Sequence, residues 1–179
     1  MSTIKISKMQ ADVGIETFDC GNASINSLIY KSCYPTVLQH AYAYVAQFEE
    51  TIVGVYMLKF MKIDLSSCPE DISDYQSDIC SDCFSIHIKY IAVSKDLQGQ
   101  RLGSSLLALI IRYVRKLCEK WPVRLITLDA LKDKVDWYKL FGFVPFNEND
   151  MEDNEPTIKM YLDCLLDPDL LNRYCSGIL

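Results

Sequence analysis

Ser85-Ile86-His87-Ile88-Lys89-Tyr90-Ile91-Ala92-Val93, a short polar turn, Gln98-Gly99-Gln100-Arg101-Leu102-Gly103, and then an apolar run from Ser104 to Val114: this stretch decides how the chain is read. The first run reads as a strand and the last as a helix, so a glycine-bearing loop joins a strand end to a helix start. The first N–H groups of a helix lack partners inside it, and the aligned peptide dipoles make that end positive. Glycines let a backbone approach an anion closely. The order predicts a site for a pyrophosphate-bearing ligand.

Two common phosphate loops do not fit. No Gly-Lys-Ser/Thr follows the glycines, so this is not a Walker A loop. The glycine spacing is wrong for a dinucleotide fingerprint, and the strand does not open a βαβ repeat. Six residues by themselves also suit a strand-to-helix turn that binds nothing.

The chain has 179 residues, half of them apolar and 23% charged, which fits one globular domain with a real core. No apolar run reaches the length of a membrane span, and the N-terminus lacks the apolar core of a signal peptide, so no membrane and a cytoplasmic location are expected. The eight cysteines (20, 33, 68, 80, 83, 118, 164, 175) are irregularly spaced. Cys68, Cys80, Cys83 and His87 could ligate zinc, but a single CxxC with one distant cysteine favours free, partly buried thiols, and no metal is expected.

The net charge of −6 is uneven. Asp64 to Asp82 holds six acids and no base, and Glu148 to Asp169 holds eight acids against Lys159. Lys95 to Lys139 holds ten Lys/Arg against five Asp/Glu. An acidic chain is a poor nucleic-acid binder, whereas a basic middle suits a small anionic cofactor.

Periodicity gives the remaining elements. Ile4 to Lys8 reads as a strand. Asn22 or Ser24 caps a helix running to about Cys33, which Pro35 should break, and Val37 to His40 reads as a further turn. Ala41 to Phe48 and Ile52 to Phe60 form a hairpin, and Pro69 to Gln76 is a candidate helix. Gly103 to Lys120 is an amphipathic helix. Arg124 to Leu128 is a strand, Lys134 to Leu140 a helix stopped by Gly142, and Phe143 to Phe146 and Thr157 to Leu162 a final pair of strands. The order βαβββαβαββ predicts a mixed α/β, three-layer domain with a central, mostly antiparallel sheet flanked by helices. It spans residues 1–165, with a tail over 166–179.

Three pieces of this pattern resemble one family, the GNAT N-acetyltransferases. Gln98 to Gly103 is similar to their Gln/Arg-x-x-Gly-x-Gly/Ala loop, with Arg101 at the middle glycine; the replacement predicts a negative φ there and adds a cation. Asp129-Ala130 followed by Tyr138-Lys139-Leu140-Phe141-Gly142-Phe143 resembles their C-terminal signature. Phe18-Asp19-Cys20-Gly21-Asn22 with Ile25-Asn26 and Leu28 resembles the entry helix of a branch that includes toxins acetylating aminoacyl-tRNA.

The resemblance implies acetyl-CoA as co-substrate and a set of site residues. Ile91, Ala92 and Val93 would hold the pantetheine arm through their backbone. Gln98, Gly99, Gln100, Arg101, Leu102, Gly103 and Ser104 would surround the pyrophosphate, with Ala130, Val135 and Tyr138 also at the cofactor. Tyr138 would protonate the departing thiolate, which suits a phenol of pKa about 10. His87 stands where histone-acetylating members carry a basic glutamate, and a neutral imidazole is a competent base. The acceptor is expected to be a primary amine of a small molecule or protein. Alternatives are aminoacyl-tRNA, with an antitoxin as partner, and a non-catalytic CoA-binding domain. The pI of about 4.9 weighs against tRNA. Members of the family are often homodimers.

Overall fold

The computed structural model describes residues 4–10, 14–69, 72, 81–147 and 155–165. Seven strands, β1 (Lys5–Lys8), β2 (Tyr42–Phe48), β3 (Thr51–Asp64), β4 (Asp82–Val93), β5 (Val123–Leu131), β6 (Val144–Pro145) and β7 (Thr157–Asp163), form one sheet in the order β1-β2-β3-β4-β5-β7-β6. The helices among the described residues are α1 (Ala23–Tyr30), α2 (Cys33–Val37), α3 (Leu102–Cys118) and α4 (Val135–Lys139). β1 with β2, β2 with β3, β5 with β7 and β6 with β7 pair antiparallel. The expected mixed α/β fold on a mostly antiparallel sheet is therefore what forms. No helix among the described residues is long and apolar enough to cross a membrane.

The chain packs as two compact units, Met1–Met61 with Ile86–Ile111 and Lys62–Ser85 with Arg112–Leu179. In the first, successive residues of β2 serve opposite faces of the sheet, as the two-residue period of a strand requires. Val45 joins Val55, Ile29, Phe18 and Ala92 in one buried cluster. Its neighbour Ala46 joins Val53 and Leu106, with Ile91 and Val93 against them. Helices α1 and α3 thus cover opposite faces of this part of the sheet. The stripe that buries α3 is Leu106, Leu107, Ile110 and Val114, at helical spacing.

At Gly54 α3 and the sheet approach closely. A Cβ there would lie 2.6 Å from Leu106 Cδ1 and 3.3 Å from the carbonyl oxygen of Ala92. The leucine tip can swing, but a strand carbonyl cannot. Gly54→Ala is expected to lower stability by about 1–3 kcal/mol through overpacking. Urea unfolding checks this: the midpoint should fall with the slope unchanged.

Two local readings need adjustment. Asn22 does cap α1, its side chain accepting from the N–H groups of Ser24 and Ile25 at 3.1 Å each. Pro35, however, lies inside α2 instead of breaking a helix. It occupies the first turn, where a backbone N–H has no helical partner to lose. The hairpin between β2 and β3 turns on Glu49 and Glu50 alone, because Phe48 already pairs with Thr51.

In the second unit β5 pairs with β7 from Leu125↔Asp163 to Leu131↔Thr157, and β6 adds to β7 at Val144↔Tyr161. Leu65, Ile72, Leu125 and Tyr161 form its buried cluster. Arg124 pairs with Asp163 at 3.0 Å and also donates to the Ile72 carbonyl. The expected helix over Pro69 to Gln76 lies mostly outside the described residues, as does the tail over 166–179.

Candidate active site

The loop between β4 and α3 opens on one long-range bond and continues in a short-range turn. Ser94 N–H donates to Val53 O at 3.1 Å, and a 3-10 turn follows over Lys95–Leu97. The chain then takes the left-handed conformation at Gly99 (φ 79°) and again at Arg101 (φ 63°). The negative φ expected at Arg101 is not what forms: the arginine adopts a left-handed geometry of the kind that favours glycine. A non-glycine residue there costs about 1–2 kcal/mol. Its carbonyl accepts from both the N–H and the Oγ of Ser105, at 3.0 and 3.2 Å, so Arg101 starts α3.

This geometry suits an anion. Left-handed residues in such a loop direct successive N–H groups into one concavity. Leu102 and Gly103 open the first turn of α3, where a helix does not pair its own N–H groups, and Ser104 follows them. Leu97 to Ser104 carries the Arg101 cation and no carboxylate. Arg115 and Lys116 in the last turn of α3 complement the opposite, negative end. The side chains of Ile91 and Val93 pack against the Leu106 cluster, and that of Ala92 is in the Phe18 cluster.

Gln98 ties this loop to the chain around it. Its Nε2 donates to Cys20 O at 2.8 Å and to Val93 O at 3.2 Å. The motif reading did not anticipate this, because the partner at Cys20 is remote in sequence.

The remaining site residues divide between the units. His87 is buried in mid-β4 at 5% exposure. Ala130 is buried near the end of β5, opposite Ile158 on β7. Val135 opens α4 and is buried. Tyr138 is 9% exposed, edge-on to Trp137 (centroids 4.7 Å apart) and to Phe143 (5.7 Å). Gly142 explains the Phe-Gly-Phe turn. At φ 87° it ends α4 and lets Phe143 fold back, its N–H donating to the Tyr138 carbonyl at 3.3 Å.

Burial pushes the Tyr138 phenol up to about 12. It pushes Tyr90, whose hydroxyl donates to Ser32 Oγ at 2.6 Å, up to about 12 as well. Unfolded tyrosines titrate at about 10. The folded chain therefore holds both protons more tightly than the unfolded one. That stabilisation is complete below pH ~10 and is lost as pH rises towards ~12. Melting temperature should fall across this window, and Tyr90→Phe should flatten part of the fall.

Among the described residues no group of three or more His, Cys, Asp and Glu is placed to hold a metal ion. Cys68 and Cys83 pack beside the Leu65 cluster, and burial, then the neighbouring Cys68, pushes the Cys83 thiol up to about 11. Cys80 lies outside the described residues.

Comparison with known proteins places this architecture. A family model described as an acetyltransferase (GNAT) domain matches residues 39–145. No curated protein matches the sequence. Among solved structures, a bacterial toxin superposes with TM-score 0.75 at 18% identity, over 96% of this chain and 97% of that one. The toxin AtaT complexed with acetyl-methionyl-tRNA gives 0.75 at 18% identity, over 96% and 99%. A tyrosine-to-phenylalanine AtaT mutant bound to the C-terminus of the antitoxin AtaR and acetyl-CoA gives 0.70 at 18%, over 90% and 94%. At these identities the likeness is one of fold. The match to the family model covers more than half of the sequence: the chain belongs to the GNAT acetyltransferases.

Proposed function

We propose that this chain is an acetyl-CoA-dependent N-acetyltransferase acting on a primary amine. The observation that carries the reading is the β4–loop–α3 stretch, with its left-handed Gly99 and Arg101 ahead of the first turn of α3. Acetyl-CoA supplies the activated acetyl group as a thioester. Backbone N–H groups from Gly99 to Ser104 hold the pyrophosphate, and the backbone of Ile91 to Val93 aligns the pantetheine arm. The amine nitrogen attacks the thioester carbonyl, a C–N bond forms and the C–S bond breaks. The Tyr138 hydroxyl gives its proton to the sulfur, and the amine loses one to His87 or through it to water.

Incubation of the protein with acetyl-CoA and a panel of amines, read by free thiol release, tests the reading. Stoichiometric release of CoA with an acetylated amine supports it. Binding of CoA without transfer to any amine would instead favour a non-catalytic acyl-CoA-binding domain. For the base, His87→Ala should lower kcat/KM and remove the acid-side ionisation that a histidine base gives. An unchanged pH profile would assign proton removal to water alone.

A second reading has its own support. The three solved structures named above are toxins, one with acetyl-methionyl-tRNA and one with an antitoxin. Under it, the acceptor is the amino group of an aminoacyl-tRNA and a small antitoxin neutralises the enzyme. The net charge of −6 opposes a polyanionic substrate. Growth arrest on expression, relieved by Tyr138→Phe, would favour the toxin reading.

A further inference from the structure

The Phe18-Asp19-Cys20-Gly21-Asn22 stretch with Asn26 is the one sequence motif to which acetyl transfer assigns no task. Its contacts give it one. Asp19 O accepts from the Lys95 N–H at 2.9 Å, and Asp19 Oδ2 pairs with Lys95 Nζ at 2.9 Å. At the residue that follows the Lys95–Leu97 turn a second contact is made, where Gln98 Nε2 reaches Cys20 O and Val93 O. The cofactor loop is thus held near both ends of its 3-10 turn by consecutive residues, Asp19 and Cys20.

These two residues are themselves fixed. Asp19 Oδ1 accepts from Gly21 N–H at 2.8 Å and from Asn26 Nδ2 at 2.7 Å. Asn26 Oδ1 accepts in turn from the Cys20 N–H and thiol, each at 3.0 Å. Gly21 lies in the left-handed region at φ 78°, a position where a side chain would be strained. Phe18 is buried, and its carbonyl accepts from the Tyr30 hydroxyl at 2.8 Å. Asn26 and Tyr30 are both on α1, so the stretch is a bracket rooted in a helix and in the core.

We infer that Asp19, Asn26 and Gln98 are positioning residues that hold the anion-binding backbone of residues 99–104 in its productive shape; the inference rests on the acetyl-CoA reading of that loop. Backbone donors bind an anion well only if they are fixed before it arrives. Without the bracket, the loop between β4 and α3 keeps the Ser94–Val53 bond at its start and its own short-range turn, and the N–H groups beyond them must be ordered by the ligand. Ordering of that kind weakens binding without removing any ligand contact.

The test is calorimetric titration of acetyl-CoA into wild type, Gln98→Ala, Asp19→Ala and Asp19→Asn. Lys62→Ala, which breaks the exposed Lys62–Asp82 pair, serves as a control. Gln98→Ala and Asp19→Ala should each weaken binding about tenfold. Asp19→Asn keeps an acceptor for Gly21 and loses the charge opposite Lys95, so it should lie between them and wild type. Lys62→Ala should bind as wild type does. Amide hydrogen exchange on the ligand-free protein gives an independent readout. Exchange at residues 95–104 should quicken in Gln98→Ala while β5 and β7 keep their protection. Wild-type affinity in both alanine variants would overturn the inference and leave the acetyl-CoA reading standing. A wild type that does not bind acetyl-CoA would overturn that reading, and the inference with it.

Discussion

Tyr138→Phe is expected to lower kcat for acetyl transfer by about 100-fold, the lower range for loss of a general acid, while the fold and the affinity for CoA stay as they are. The substitution removes one oxygen. The ring keeps its edge-on contacts with Trp137 and Phe143, and the Phe143 N–H keeps its backbone partner. Folding should therefore be indifferent to the change. The proton matters because burial holds the phenol up at about 12, so Tyr138 is fully protonated at any pH at which the enzyme works. It can serve as a donor throughout, and no limb of the pH–rate profile below pH ~10 should belong to it. Single-turnover rates with saturating amine would separate the two roles open to this residue. An undiminished rate in the phenylalanine variant would make Tyr138 a packing residue and leave thiolate protonation to water.

Gly103→Trp should cost about 100-fold or more in affinity for acetyl-CoA, with loss of turnover at ordinary cofactor concentrations. Gly103 is the second residue of α3, in the turn whose N–H groups the helix does not pair. An indole there occupies the space over those groups. It adds no charge and leaves the buried stripe of Leu106, Leu107, Ile110 and Val114 in place, so the helix should still form. Calorimetric titration measures the loss directly. A variant that binds acetyl-CoA as tightly as wild type would move the cofactor away from this loop.

Much of this site could be read from the sequence because local rules and tertiary packing agree there. β4 reads as a strand since Ile86, Ile88, Tyr90 and Ala92 alternate, and all four are buried. α3 reads as a helix since its apolar residues recur at helical spacing. The Phe-Gly-Phe turn reads correctly since only a left-handed residue at 142 lets Phe143 return beneath Tyr138. Where the reading failed, distant contacts overrode local preference. Arg101 has no intrinsic reason to be left-handed, yet it sits between a loop anchored on Cys20 and a helix that its own carbonyl begins. Gln98 makes contacts that its place at the start of the family loop does not reveal, since its amide donates to the carbonyls of Cys20 and Val93. Pro35 looked like a helix breaker because proline in mid-helix is one, and only the observed start of α2 puts it in the first turn.

The account depends on one event, the docking of acetyl-CoA on the loop ahead of α3. Thermal unfolding of the wild-type protein with increasing acetyl-CoA measures it most directly. A ligand that binds only the native state stabilises it by about 2.7 kcal/mol at a hundred times its Kd. The melting temperature should therefore climb steadily with acetyl-CoA and with CoA, and should climb far less in Gly103→Trp. A wild-type melting temperature that stays constant up to millimolar acetyl-CoA would contradict the account.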